Sequence, residues 1–214
     1  MPADQAAGLR RSGARQPLPC IHCFSESADS SVQLAVAFHQ MGRESLLVDM
    51  HGRLFGAAAT RSLFDWKRQI EHGQLQTLPQ RYGKGWHAPG LRSDEPALQD
   101  MAPACDQVIF DAGWSEGDPG LRPGVAHTVV VAIRRSDESM RHAYALLKTL
   151  AQQGSLSRAG LLGDPGACDR VRAACCRFLG QRLAPAIFSV ANEGDAFAAL
   201  AVRMTGEETG LTAC

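Results

Sequence analysis

No run of about 18 apolar residues occurs in the 214-residue chain, which excludes a membrane-spanning helix. Net charge is missing as well. The 22 basic and 22 acidic residues cancel, so nothing electrostatic favours nucleic acid or stable insertion at an acidic membrane. Lysine is scarce: Lys67, Lys84 and Lys148 are the only three among those 22 basic residues. A regular cysteine spacing is also lacking. Seven cysteines, an odd number, suit a reducing cytoplasm better than a disulfide framework. The opening MPADQAAGLRRSGARQ has no apolar core of the secretory type, so a cytoplasmic location is expected.

What is present centres on Leu18 to Gly42. LPCIHCF reads as a short buried strand, SESADSS as a polar turn, and VQLAVAFHQMG as a helix closing on Gly42. The helix signal is the spacing of Val32, Leu34, Ala35, Ala37, Phe38 and Met41. SLLVD, from Ser45 to Asp49, follows at once as a second strand. Strand, turn, helix and strand at this spacing open a parallel βαβ unit, whose first turn is where phosphate sits in nucleotide-binding folds. That use needs glycines for close backbone approach and a lysine for charge. The turn has neither, since no glycine lies between Phe24 and Met41 and no lysine precedes Lys67. Glu26 and Asp29 instead place negative charge there.

Further along, Arg53 to Gln69 has a helical pattern, with Leu54, Phe55, Leu63, Phe64 and Trp66 as buried candidates, and Gln74 to Pro79 suits a short strand. Residues 81 to 103 are rich in glycine and proline and read mostly as loop, with a helical turn near Pro96 to Met101. QVIFD (Gln107 to Asp111) and Thr128 to Ile133 are buried-type strands. Ser136 caps a helix to Leu150, with Met140, Ala143, Leu146, Leu147 and Leu150 on one face. Ser157 to Gly163, Pro165 to Leu179, Ala186 to Val190 and Asp195 to Met204 read as strand, helix, strand and helix. This alternation is that of a doubly wound, mostly parallel α/β sheet flanked by helices.

Asp49 and Asp111 each end an apolar strand, which places both at the carboxyl edge beside the first turn, where such folds keep magnesium-binding and water-activating carboxylates. Aspartates also cap strand ends and following helices as a matter of routine, so a purely structural role stands beside the catalytic one. Cys20 and Cys23 form a C-x-x-C, but three residues apart on a strand they face opposite sides, with His22 between them read as pointing away from both. No second ligand pair follows, and packing is the expected role. The other histidines are scattered and expected mostly at the surface. Phe197, Leu200, Ala201 and Met204 on the last helix are read as core contacts rather than a membrane-targeting face.

The order of elements resembles the MinD/ParA class of deviant-Walker ATPases, a P-loop NTPase-like group. VQLAVAFHQMGRESLLVD looks like that class's first helix and second strand, QVIFDAG like its Walker B strand, and VVVAIRRSDESMRHAYALLKTL like the strand and helix that follow. Ahead of this, Asp4-Gln5-Ala6-Ala7-Gly8-Leu9-Arg10 is similar to the D-Q-A-x-x-L-R segment of the FlhG flagellar-number regulators. The resemblance implies an activator helix that binds the signal-recognition-type GTPase FlhF. Within it, Asp4, Gln5, Ala6, Leu9 and Arg10 would be the partner-binding residues, with Gln5 positioning water or switch residues, Leu9 anchoring in an apolar groove and Arg10 meeting acidic groups or phosphate. It also implies contact with the flagellar switch complex or transcriptional regulators, and recruitment to the cell pole.

The chain departs from the family at the G-K-G-G-V-G-K-T turn, which falls on Ser25 to Ala28 and neighbours, and at the second acid of its D-x-D, which falls on His51. Losing several charge-assisted contacts, each worth about 1.5–3 kcal/mol, removes most nucleotide affinity. The resulting expectation is residues 1–16 as an activator segment, 17–204 as a degenerate MinD/ParA-like domain and 205–214 as a polar tail. The protein is expected to hydrolyse nothing, with no cofactor unless the turn retains ATP or ADP and magnesium. Two alternatives are a residual ATPase using Asp111 and magnesium with an arginine in place of the lysine, and an accessory protein of the same superfamily with another client.

Overall fold

QVIFD is buried at every position, and so is SLLVD, because both strands lie in the middle of a sheet covered on both faces. The computed structural model describes residues 18–54, 76–77, 84–88, 91–95, 98, 105–114, 121, 125–180 and 183–205. Its elements are β1 (Cys20–Phe24), α1 (Asp29–Gln40), β2 (Ser45–Asp49), β3 (Gln76–Thr77), β4 (Lys84–His87), β5 (Gln107–Asp111) and β6 (His127–Ile133). These are followed by α2 (Asp137–Gln152), β7 (Leu156–Gly163), α3 (Pro165–Phe178), β8 (Ile187–Ser189) and α4 (Ala196–Thr205). The sheet runs in the order β3-β4-β2-β5-β1-β6-β7-β8. Every neighbouring pair is parallel except β3 with β4, which is antiparallel at the edge.

Alternation along each strand divides the core between the two faces. Ile21, Cys23, Leu47, Ile109 and Val130 face one side, under Leu34, Ala35 and Phe38 of α1 and Leu200 and Ala201 of α4. On the other side Phe24, Val129, Val131 and Leu161 meet Ala143, Leu147 and Leu150 of α2 and Val171 and Cys175 of α3. Leu46, Val48, Val108 and Phe110 continue that side toward Leu91 and Leu98. Local signals hold at the helix ends. Ser136 Oγ accepts from the Ser139 amide, Asp164 from Ala167, and Gly42 takes φ +74° as the Arg43 amide returns to the Phe38 carbonyl. The apolar face of α4 is core packing, as expected, and no helix among the described residues is long and apolar enough to cross a membrane.

Several expectations are corrected. Within the span 81–103, read mostly as loop, Lys84–His87 forms a strand that was not expected, β4, parallel to β2; its glycine hides the strand pattern, and pairing with a buried neighbour overrides propensity. Arg53 and Leu54 lie in a turn rather than in a helix, and the rest of the expected helix lies outside the described residues. α4 runs through Thr205, one residue beyond the expected end of the helix, and residues 206–214 lie outside the described residues. Leu156–Gly163 is a full eight-residue strand. His127 is buried rather than at the surface. His22 shares a face with Cys20 instead of pointing away from it, stacking on Phe110 at 4.7 Å between ring centroids.

That buried imidazole gives the fold a pH dependence. Loss of water around His22, with His127 nearby, lowers its pKa from 6.5 to about 3, although a backbone hydrogen bond with Thr128 opposes the shift. Below pH 6.5 the unfolded chain gains a proton that the folded chain refuses. Stability from this group is therefore complete above pH 6.5 and is lost as the pH falls toward 3, by up to about 1.4 kcal/mol per pH unit. Urea titrations at pH 7 and pH 5 should show a smaller loss for His22→Phe than for the wild type. Parallel losses in the two proteins would refute the assignment.

Candidate functional site

The chain leaves β1 on one side of the sheet to build β2, and after β5 crosses to the other side to build β6, so the carboxyl ends of β1, β5 and β6 form a switch point. Three side chains are delivered there by register alone. Asp111 lies level with Cys23 of β1 and with Asp49 of β2, and both aspartates are fully buried. The expected placement of Asp49 and Asp111 at this edge therefore holds.

Their partners differ. Asp49 binds its own chain: Oδ1 accepts from the amides of His51 at 3.2 Å and Arg53 at 3.1 Å, and Oδ2 from Leu54 at 2.8 Å. The carboxylate thus caps the turn after β2 and aims Arg53 across the edge. The Arg53 guanidinium meets Asp111 as a fork, Nη2 to Oδ1 at 2.5 Å and Nε to Oδ2 at 3.0 Å. Ser31 Oγ donates to the same Oδ1 at 2.8 Å from the first turn of α1. Arg53 Nη1 donates to the carbonyls of Ser25 at 2.8 Å and Glu26 at 3.1 Å. Gly113 makes room for this: it holds φ +60°, and a Cβ there would come within 3.3 Å of Arg53 Cζ.

The turn itself is closed by its own hydroxyls. The Ser27 amide donates to Ser25 Oγ and the Asp29 amide to Ser27 Oγ, each at 3.2 Å, while Ser25 and Ser30 hydroxyls bond at 2.9 Å. Asp29 accepts from Ser27 Oγ at 3.1 Å, and Glu26 pairs with Arg134 just beyond β6 at 2.5 Å. A phosphate cradle points amides at its ligand. Here amides are bonded within the turn and two carbonyls converge on a cation, so the polarity is inverted. At the position of the family's second acid, His51 donates through Nε2 to the Ala112 carbonyl at 2.5 Å, which further ties the turn after β2 to the end of β5.

Sequence reasoning passed over Arg53, treating it only as the start of a helix. The available signal was a strand-ending aspartate followed at four residues by an arginine behind a glycine, Asp49-Met50-His51-Gly52-Arg53. The cysteines behave as packing. Cys20 and Cys23 fall on opposite faces, no disulfide joins the described cysteines, and burial raises the thiols of Cys20 and Cys23 to about 12. No cluster of metal-ligating side chains occurs among the described residues. Asp4, Gln5, Ala6, Leu9 and Arg10 lie outside the described residues.

Strand order and switch point define the class: a doubly wound α/β domain with a mostly parallel sheet. No protein-family model and no curated protein matches the sequence. Among solved structures the chain is similar to a ParA family ATPase from Chlorobium tepidum TLS, at 17% identity and a TM-score of 0.43, over 69% of this chain and 74% of that one. The assignment of class rests on the sheet order, not on that distant likeness.

If Asp49 is the anchor of the Arg53 turn, Asp49→Ala should lower unfolding free energy by about 2–4 kcal/mol, from buried amides left without an acceptor. Asp49→Asn, which keeps one acceptor oxygen, should lose clearly less. Urea denaturation measures both, and an Asp49→Ala protein as stable as the wild type would contradict this role.

Proposed function

We propose that the chain is a non-hydrolysing regulator of the FlhG type, in which a ParA-like frame carries a turn that has given up phosphate. The observation that carries this reading is the inverted polarity of Ser25 to Ser31, with amides closed on serine hydroxyls and the Ser25 and Glu26 carbonyls turned to a guanidinium. A triphosphate brought there would meet the Ser25 and Glu26 carbonyl dipoles in place of open amides, and the carbonyls repel it. Recognition then falls to residues 4–10. Asp4, Gln5, Ala6, Leu9 and Arg10 dock on an FlhF-type GTPase, Gln5 helps complete its water-positioning site, and the flagellar switch complex or transcriptional regulators are further clients. The protein works in the cytoplasm, at the cell pole when recruited, without nucleic acid, membrane insertion or a cofactor of its own.

A residual ATPase is the second reading, favoured by one observation: an arginine does lie against Asp111. ATP, ADP and magnesium would then be its ligands. Titration with a fluorescent ATP analogue and magnesium separates the two. The regulator reading expects no saturation up to about 1 mM, where binding would be weaker than about −4 kcal/mol. Saturation at micromolar concentration would restore the enzyme. For the working segment, a Met1–Gln16 peptide should accelerate GTP turnover by an FlhF-type GTPase and Gln5→Ala should abolish the effect. A wild-type peptide without effect would end the proposed mechanism.

A further inference from the structure

The magnesium nucleotide that a fold of this class implies does not fit the residues found here, and that mismatch carries its own inference. We propose that Arg53 is a resident cation, a part of the chain that stands permanently where a divalent ion and a phosphate-loop lysine would otherwise supply positive charge. The proposal rests on the reading above that the turn is not a phosphate site. It adds what fills the position and what the filling does.

Three observations converge on it. The acceptors around the guanidinium are all oxygen: both carboxylate oxygens of Asp111 and the carbonyls of Ser25 and Glu26, with Ser31 Oγ donating to the same carboxylate. An all-oxygen shell of this kind is what a hard divalent cation would take. Asp111 is fully buried while Arg53 is about a quarter exposed, so the carboxylate depends on the pairing more than the arginine does. Gly113, with φ +60°, leaves the space that the His51 ring and the Arg53 guanidinium occupy, since a Cβ there would come within 3.2 Å of one and 3.3 Å of the other. Three segments that a ligand would otherwise have to gather, the ends of β1, β2 and β5, are thereby clamped by one side chain. The turn stays closed in the absence of any ligand, and the protein presents one constitutive state instead of a nucleotide-dependent pair.

A double-mutant cycle on Arg53 and Asp111 tests this, using the full chain and thermal unfolding with and without 5 mM MnCl2. The wild-type midpoint should not respond to manganese. Arg53→Met should lower it by about 5–10 °C, since it leaves a buried carboxylate unpaired. Manganese should recover part of that loss, because the oxygens freed by the guanidinium then bind the ion. Arg53→Met with Asp111→Asn, which removes both charges, should be no less stable than Arg53→Met alone and should not respond to manganese. An Arg53→Met protein as stable as the wild type, additive losses in the double variant, or no recovery of Arg53→Met by manganese would each overturn the resident cation. If Arg53→Met does not fold at all, Arg53→Lys replaces it in the cycle: a single ammonium reaches the carboxylate but not both carbonyls, so an intermediate midpoint is expected and a wild-type midpoint is contrary. The nucleotide titration is independent of these outcomes, so failure of the regulator reading and failure of the resident cation are distinguishable.

Discussion

A carboxylate buried at the end of a central strand is a debt of desolvation, and Asp111 carries it in full. In this fold the position exists because β5 is enclosed between β1 and β2 and covered on both faces, so its last residue has no route to water. Only a cation or a set of donors can make that placement stable. The chain uses Arg53 and Ser31 together, one from the turn after β2 and one from the start of α1. The geometry of the whole carboxyl edge then follows from satisfying one ion.

Asp49 shows how a second buried carboxylate at the same edge draws donors from the backbone that follows it. Backbone amides two, four and five residues further on supply its donors, which curls the turn and delivers Arg53. Two residues that sequence logic groups as equivalent acids therefore have unlike electrostatic duties. One organises backbone, and the other receives the charge so positioned. Glu26 completes the arrangement by pairing outward with Arg134 at the end of β6, so the turn's own acid does not oppose Asp111.

Much of the frame was legible in the sequence because its signals are local. The apolar runs at Leu46–Val48, Val108–Phe110 and Val129–Val131 have no polar alternative, and Ser136, Asp164 and Gly42 mark helix ends through short-range hydrogen bonds. What was not legible depends on distant partners. β4 carries a glycine and exists through its pairing with β2. His22 is held as a neutral ring by burial among partners on other strands, with Phe110 stacked on it and His127 nearby. Arg53 resembles any surface arginine until Asp111, 58 residues away, is brought opposite it. Of the candidate site, the carboxylates could be placed from strand ends, while their counter-charge could not.

Leu18, just before β1, and Thr205, the last residue of α4, border the same cavity of about 410 Å³, together with Cys20, Gln107 and His127 at the amino ends of their strands. The first described residue and the last thus share one rim, and the clamp at Arg53 sits on the opposite rim, about 16 Å away along the five residues of β1. The five residues of β1 thus hold the cavity and the clamp at opposite ends of the parallel sheet.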